Sequence, residues 1–217
     1  MAERSKRFQS AVLLLALALL IFLFTAITLS FLPQDLSDLE GRNQDGTSAP
    51  PSRNLERVLE NAANQGIKVT LSEKEVNQWL ASKVAGTQEG VLASSVSYRG
   101  TWVRLKEGSA QVLFEREAFN RLHTIAMNVE IDQLIEGNNQ MSSKINWAGG
   151  RLGQMPVPQG YLMLVMSSYE ELATALAPEM RSLKSLLEGK ATVEFQEGKI
   201  VFEPRSLGDG DFGLQGF

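Results

Sequence analysis

The chain has 217 residues, no cysteine, one histidine and a formal net charge of −4. Three of the 21 basic and one of the 25 acidic side chains fall in the first ten residues, so the rest carries 18 against 24, about −6. That balance argues against nucleic acid as a partner, and the lack of Cys excludes disulfides, a thiol nucleophile and thiolate metal sites.

Residues 11–32, AVLLLALALLIFLFTAITLSFL, are 22 uncharged residues. As a helix they reach about 33 Å, enough for a hydrocarbon core of roughly 30 Å. Thr25, Thr28 and Ser30 supply the only side-chain hydroxyls, which a helix satisfies on its own carbonyls. Pro33 ends the segment. Arg4, Lys6 and Arg7 precede it, whereas Asp35, Asp38 and Glu40 follow. Residues 1–10 are therefore expected in the cytoplasm and the remainder outside, periplasmic or at the cell surface. A cleaved secretory signal is the rival reading, but its apolar core runs about 7–15 residues and ends in an A-x-A-like site, which is missing here.

Residues 33–54 are rich in Pro, Gly, Ser, Asp and Asn without an apolar period, and read as a flexible tether. Residues 55–205 read as one exterior domain. Leu55, Val58, Leu59, Ala62 and Ala63 form the stripe of a helix over 55–66, closed by Gly66. IKVTL (67–71) predicts a short strand. Ser72 and Glu75 then form a capping box opening a helix over 72–86, with Val76, Trp79, Leu80 and Lys83 or Val84 inward. Asn77 lies beside that stripe, where its amide is expected to bond a strand backbone and fix the helix on the sheet.

Residues 101–117 read as a hairpin turning at 107–109, followed by strands over 121–132 and 140–147 around a turn at 136–139. His123, Ile125, Met127, Val129 and Ile131 share a face. Residues 149–160 read as irregular. The apolar start of 161–178 predicts a buried or covering helix, extended by 179–189. The hairpin 190–204 turns at Glu197-Gly198, and the tail 206–217 is expected to be mobile. Short turns between neighbouring strands favour an antiparallel meander. The expected class is α+β: a single transmembrane helix, then a curved antiparallel sheet with helices packed on one face.

The strand–helix entry Leu71, Ser72, Val76, Asn77, Trp79 and Leu80, together with GRLGQMPVPQGYLMLVM (150–166), resembles the YpmS-like family of uncharacterised bacterial membrane-anchored proteins. The resemblance covers most of residues 65–204. It implies an extracytoplasmic α+β domain with a groove suited to a lipid or another apolar ligand, and implies no activity.

Candidate chemistry is sparse. His123 sits among apolar neighbours without Ser-His-Asp or metal spacing. GGRLGQ (149–154) lacks the lysine and hydroxyl of a phosphate loop, and Pro156 and Pro158 remove amide donors. Glu115 and Glu117 on one strand, and Glu130 and Asp132 on another, read as wet faces rather than acid pairs or a Ca²⁺ site. No catalytic residue, metal or cofactor is expected, and the chain reads as non-enzymatic. The expected ligand-binding residues are Met155, Val157, Tyr161, Met163 and Val165, with Ile125 and Met127 from the sheet. They would bind a lipid or other apolar ligand at the membrane surface, in a continuous apolar cavity above about 300 Å³. The alternative is a structural or assembly protein whose domain contacts partner envelope proteins and has no cavity.

Overall fold

The computed structural model describes residues 2–83, 96–118, 120–136, 140–158 and 191–204. Helix α1 (Ala2–Phe31) contains the apolar stretch Gln9–Phe31, of mean hydropathy 3.0 and unburied throughout. Its side chains face outward all round: Leu15, Phe22 and Phe24 are each 72% or more exposed. An apolar helix with no protein covering it is compatible with a single-pass membrane span. Thr25 and Thr28 donate to the carbonyls of Ile21 and Phe24, both at 2.8 Å, so the hydroxyls need no water.

The rest is α+β. Helix α2 (Leu55–Gln65) starts at Asn54, whose side chain accepts from the Arg57 amide. It closes at Gly66 in a left-handed conformation. Strand β1 (Val69–Ser72) leads into α3 (Glu73–Lys83). The capping box is formed: the Ser72 amide donates to Glu75 at 2.9 Å and the Glu75 amide to the Ser72 hydroxyl at 3.3 Å. Five further strands form a meander: β2 (Val96–Lys106), β3 (Ser109–Ala118), β4 (Arg121–Glu136), β5 (Gln140–Leu152) and β6 (Met155–Val157). A hairpin of β7 (Ala191–Gln196) and β8 (Lys199–Pro204) closes the described chain.

The strands make two antiparallel sheets rather than one, in the orders β2-β3-β4-β5-β6 and β1-β8-β7. The split follows from range. The meander joins sequence neighbours, while β1 pairs with β8 across most of the domain, Val69 opposite Phe202. The two sheets meet through Leu105, Ala110, Val129 and Phe195, and α2 and α3 pack Leu55, Leu59, Val76 and Leu80 against Leu71, Val193 and Phe202. Three turns interlock there: the Gly108 amide donates to the Phe195 carbonyl at 3.0 Å, and the Glu73 amide to the Gly198 carbonyl at 2.7 Å.

Two expectations need correction. Residues 149–157 are not irregular. β5 runs to Leu152 and β6 pairs back on it, with Gly150 opposite Val157 and Leu152 opposite Met155. Pairing on both sides satisfies the backbone where two glycines offer no side-chain signal. Nor is the segment after α1 a free coil. It has no regular structure, yet Leu36 and Leu39 are buried against Trp102, Leu113 and Ala126. Burying two leucines is worth about 1.5–3 kcal/mol each, enough to hold a strap of polar residues on the sheet. The expected helices over 161–178 and 179–189, residues 137–139 of the expected turn at 136–139, and the tail 206–217 lie outside the described residues; Glu136 itself ends β4.

Candidate functional site

The site is built where α1 ends. The last carbonyls of a helix lack partners within it. Here the turn between β5 and β6 supplies one: the Gln154 amide donates to the Leu29 carbonyl at 2.9 Å. Gly153 makes that approach possible. Its φ is +57°, and a Cβ there would stand 2.5 Å from the carbonyl oxygens of Ser30 and Leu32 and 2.7 Å from that of Leu29. Only glycine fits both the conformation and the space. Beside it the Gln34 amide donates to the Thr124 hydroxyl at 2.8 Å. Phe31 meets His123 edge to face, with ring centroids 5.4 Å apart. The domain that follows α1 is thus joined to the helix end by direct contacts, not hung from it.

The strap then crosses the sheet face that carries Trp102, Leu113 and Glu115. Arg42 reaches Glu115 in a two-pronged pair, 2.8 Å to one carboxylate oxygen and 3.2 Å to the other. The Trp102 indole N–H adds a third bond at 3.1 Å. Glu115 is 3% exposed. It therefore does not lie on a wet face: the strap covers it, and alternation along β3 cannot reveal that cover. Glu117 faces Arg99 in an ion pair. Arg104 ties the strap again, donating to Asp38 at 2.6 Å and to the Asp35 carbonyl at 2.8 Å.

Helix α3 locks the other side. Asn77 is fully buried, and its amide nitrogen donates to the carbonyls of Glu40 at 2.8 Å and Val103 at 2.9 Å. The Val103 amide donates back to Asn77 Oδ1 at 2.7 Å. One side chain thereby satisfies both backbone groups that the edge strand β2 presents at Val103, and ties the strap to the same point. Glu73 continues the pattern, accepting from the amides of Leu105 at 2.7 Å and Glu40 at 2.9 Å. Burial pushes its carboxyl above the usual range, against the pull of those two bonds.

Of the residues expected to bind a ligand, Ile125 and Met127 come together with Phe114 in a buried apolar cluster on the opposite face of the sheet. Val157 packs on it from β6, as do Leu152, Val112 and Tyr98. Met155 is half-buried. Tyr161, Met163 and Val165 lie outside the described residues, as does any cavity they would line. Tyr98 shares a 2.6 Å hydrogen bond with Thr101, and burial pushes its phenol up to about 12, so it stays neutral. A separate groove of about 360 Å³ opens between strap, α3 and β2, lined by Ser48, Pro51, Gln78, Ser82, Tyr98 and Arg99 among others. It is of mixed polarity and is not the apolar cavity expected beside residues 155–166.

Among the described residues no three His, Asp or Glu side chains stand close enough to hold a metal ion. Glu73, Arg42, Leu36, Leu39 and Gly153 escape sequence reasoning. The one available signal was the pair Leu36 and Leu39, the only large apolar side chains between Gln34 and Asn54. The chain matches no protein-family model and no curated protein.

Proposed function

We propose that this is a non-enzymatic, single-pass membrane protein whose exterior domain receives an apolar chain, such as that of a lipid, at the bilayer surface. The observation that carries the reading is continuity. The apolar cluster of Phe114, Ile125 and Met127 begins two residues from His123, which touches Phe31 at the end of the apolar helix. Leu152, which packs on the cluster, directly precedes Gly153. A chain leaving the hydrocarbon would pass His123 and its cross-strand neighbour Arg116 to reach the apolar sheet face. Contacts to residues 29–36 support a retained anchor over a cleaved signal, since cleavage would strip partners from Thr124 and Gln154. The basic residues before the span and the acidic ones after it support a cytoplasmic N-terminus. The likeness to the YpmS-like family belongs to the same reading.

Native mass spectrometry of the full-length protein, followed by lipid extraction, tests it. The expected result is a reproducible extra mass that extracts as lipid and is lost in Val157→Trp, which crowds the half-buried edge of the cluster. A ligand-free mass for the wild type refutes it. The alternative, a scaffold that contacts other envelope proteins, is favoured by the strap, because Arg42, Asn77 and Arg104 fix the domain's pose on its anchor. Crosslinking in the native membrane reads that out.

A further inference from the structure

We propose that the ligand of the apolar sheet face is an anionic phospholipid, its phosphate group held by Arg121 and His123 beside the end of α1. This rests on the reading of that face as the site of an apolar chain, and names the ligand's class.

The pairing register brings three nitrogen-bearing side chains to one face of the sheet. His123 stands directly opposite Arg116, and Arg121 opposite Ala118. Directly opposed residues lie about 5 Å apart and diagonal ones about 7–8 Å, so Arg116, Arg121 and His123 are close neighbours. Residues two apart on a strand share a face, so Ile125 and Met127 continue the row along β4. Tyr98 identifies the face: it stands opposite Arg116 and packs on the cluster of Phe114, Ile125 and Met127. The row therefore passes from basic to apolar along β4. Its basic end is fixed beside the helix, because the His123 ring meets Phe31, the last residue of the apolar stretch, with centroids 5.4 Å apart.

That order selects an amphiphile. With its tail on Ile125 and Met127, a lipid leaves its head beside the end of α1, where Arg121 and His123 stand. A guanidinium presents a planar fork of donors that matches two phosphate oxygens, and an imidazole N–H adds a further donor. Arg121 is exposed and holds no carboxylate among the described residues. Arg116 has an interaction of its own and is not needed as a donor. The acids flanking it along β3 alternate to the other face and are engaged there, Glu115 by Arg42 and Glu117 by Arg99. A lipid with an uncharged head would gain nothing from Arg121, whereas a phosphate makes charge-assisted hydrogen bonds to it.

The test offers the full-length protein in detergent an equimolar mixture of phosphatidylglycerol and diacylglycerol with the same acyl chains, and counts bound lipids by native mass spectrometry. Wild type should prefer phosphatidylglycerol by roughly tenfold or more, as expected for hydrogen bonds to a charged group. Arg121→Gln with His123→Phe, which keeps a ring against Phe31, should hold both lipids equally. Lys106→Gln, exposed at the far end of β2, should keep the preference. An undiminished preference in the double variant overturns the proposal, as does an equal loss in Lys106→Gln, which would mean net charge alone. Excess inorganic phosphate should leave the lipid in place; displacement would assign the site to free phosphate and overturn the lipid. Wild type holding both lipids equally refutes the phosphate site and leaves the apolar face standing, whereas binding of neither lipid refutes the apolar face itself.

Discussion

Replacing Gly153 by alanine should loosen the domain from helix α1 without unfolding the domain. The left-handed backbone, φ +57°, costs a residue with a Cβ about 1–2 kcal/mol. The new methyl would also stand 2.5 Å from two helix carbonyl oxygens, so the turn must back away. The Gln154–Leu29 hydrogen bond, worth about 1 kcal/mol, goes with it. A combined loss of at least about 2 kcal/mol corresponds to roughly thirtyfold in the undocking equilibrium. Amide hydrogen exchange of the full-length protein in nanodiscs reads this directly. The amides of Gln154 and Gln34 should exchange roughly thirtyfold faster, while those in the β2–β3 ladder should keep their protection. Gly108→Ala is the control, because Gly108 has φ +72° but nothing within 4 Å of its Cβ. It carries the backbone cost alone and should leave Gln154 unchanged. A Gln154 amide that already exchanges freely in the wild type, or one indifferent to Gly153→Ala, would refute the docked junction.

Substitutions at three further positions probe the strap and its lock. Asn77→Ala leaves the Val103 amide and carbonyl and the Glu40 carbonyl unpaired in a buried place, so denaturant unfolding should show a loss of about 3–5 kcal/mol; Asn77→Asp should recover only the bond from the Val103 amide. Arg42→Met strands the buried Glu115 carboxylate and should cost about 3 kcal/mol, measured the same way, whereas a free tether would make it silent. Glu73 gives a pH signature. Its carboxyl is raised in the folded state, so its favourable contribution is complete below the ordinary value of 4.5 and is lost as pH rises through the raised value. The stability gap between wild type and Glu73→Gln, followed from pH 4.5 to 7, should therefore move against the wild type as pH rises; a constant gap would show that Glu73 does not titrate differently on folding.

What the sequence determined is what short-range order encodes. The apolar run of α1, the Ser72–Glu75 capping box, the stop at Gly66 and the alternation of β7 and β8 each depend on residues within a turn or a strand of one another. Asn77 was marked because an amide beside an apolar stripe needs partners, whichever strand supplies them. Tertiary structure decided which surfaces meet across the chain. β1 found β8, Arg42 found Glu115 73 positions away, and the turn at Gly153 found the end of α1. The strap shows why these were not legible. A segment without periodicity carries no local preference, so its conformation comes wholly from the surface that receives it. For residues 33–51 that surface is two leucine contacts on Trp102, Leu113 and Ala126, two ion pairs and the edge of β2. The glycine at 153 is the same lesson at one position: its composition reads as loop, and its necessity appears only when three carbonyl oxygens stand where a side chain would be.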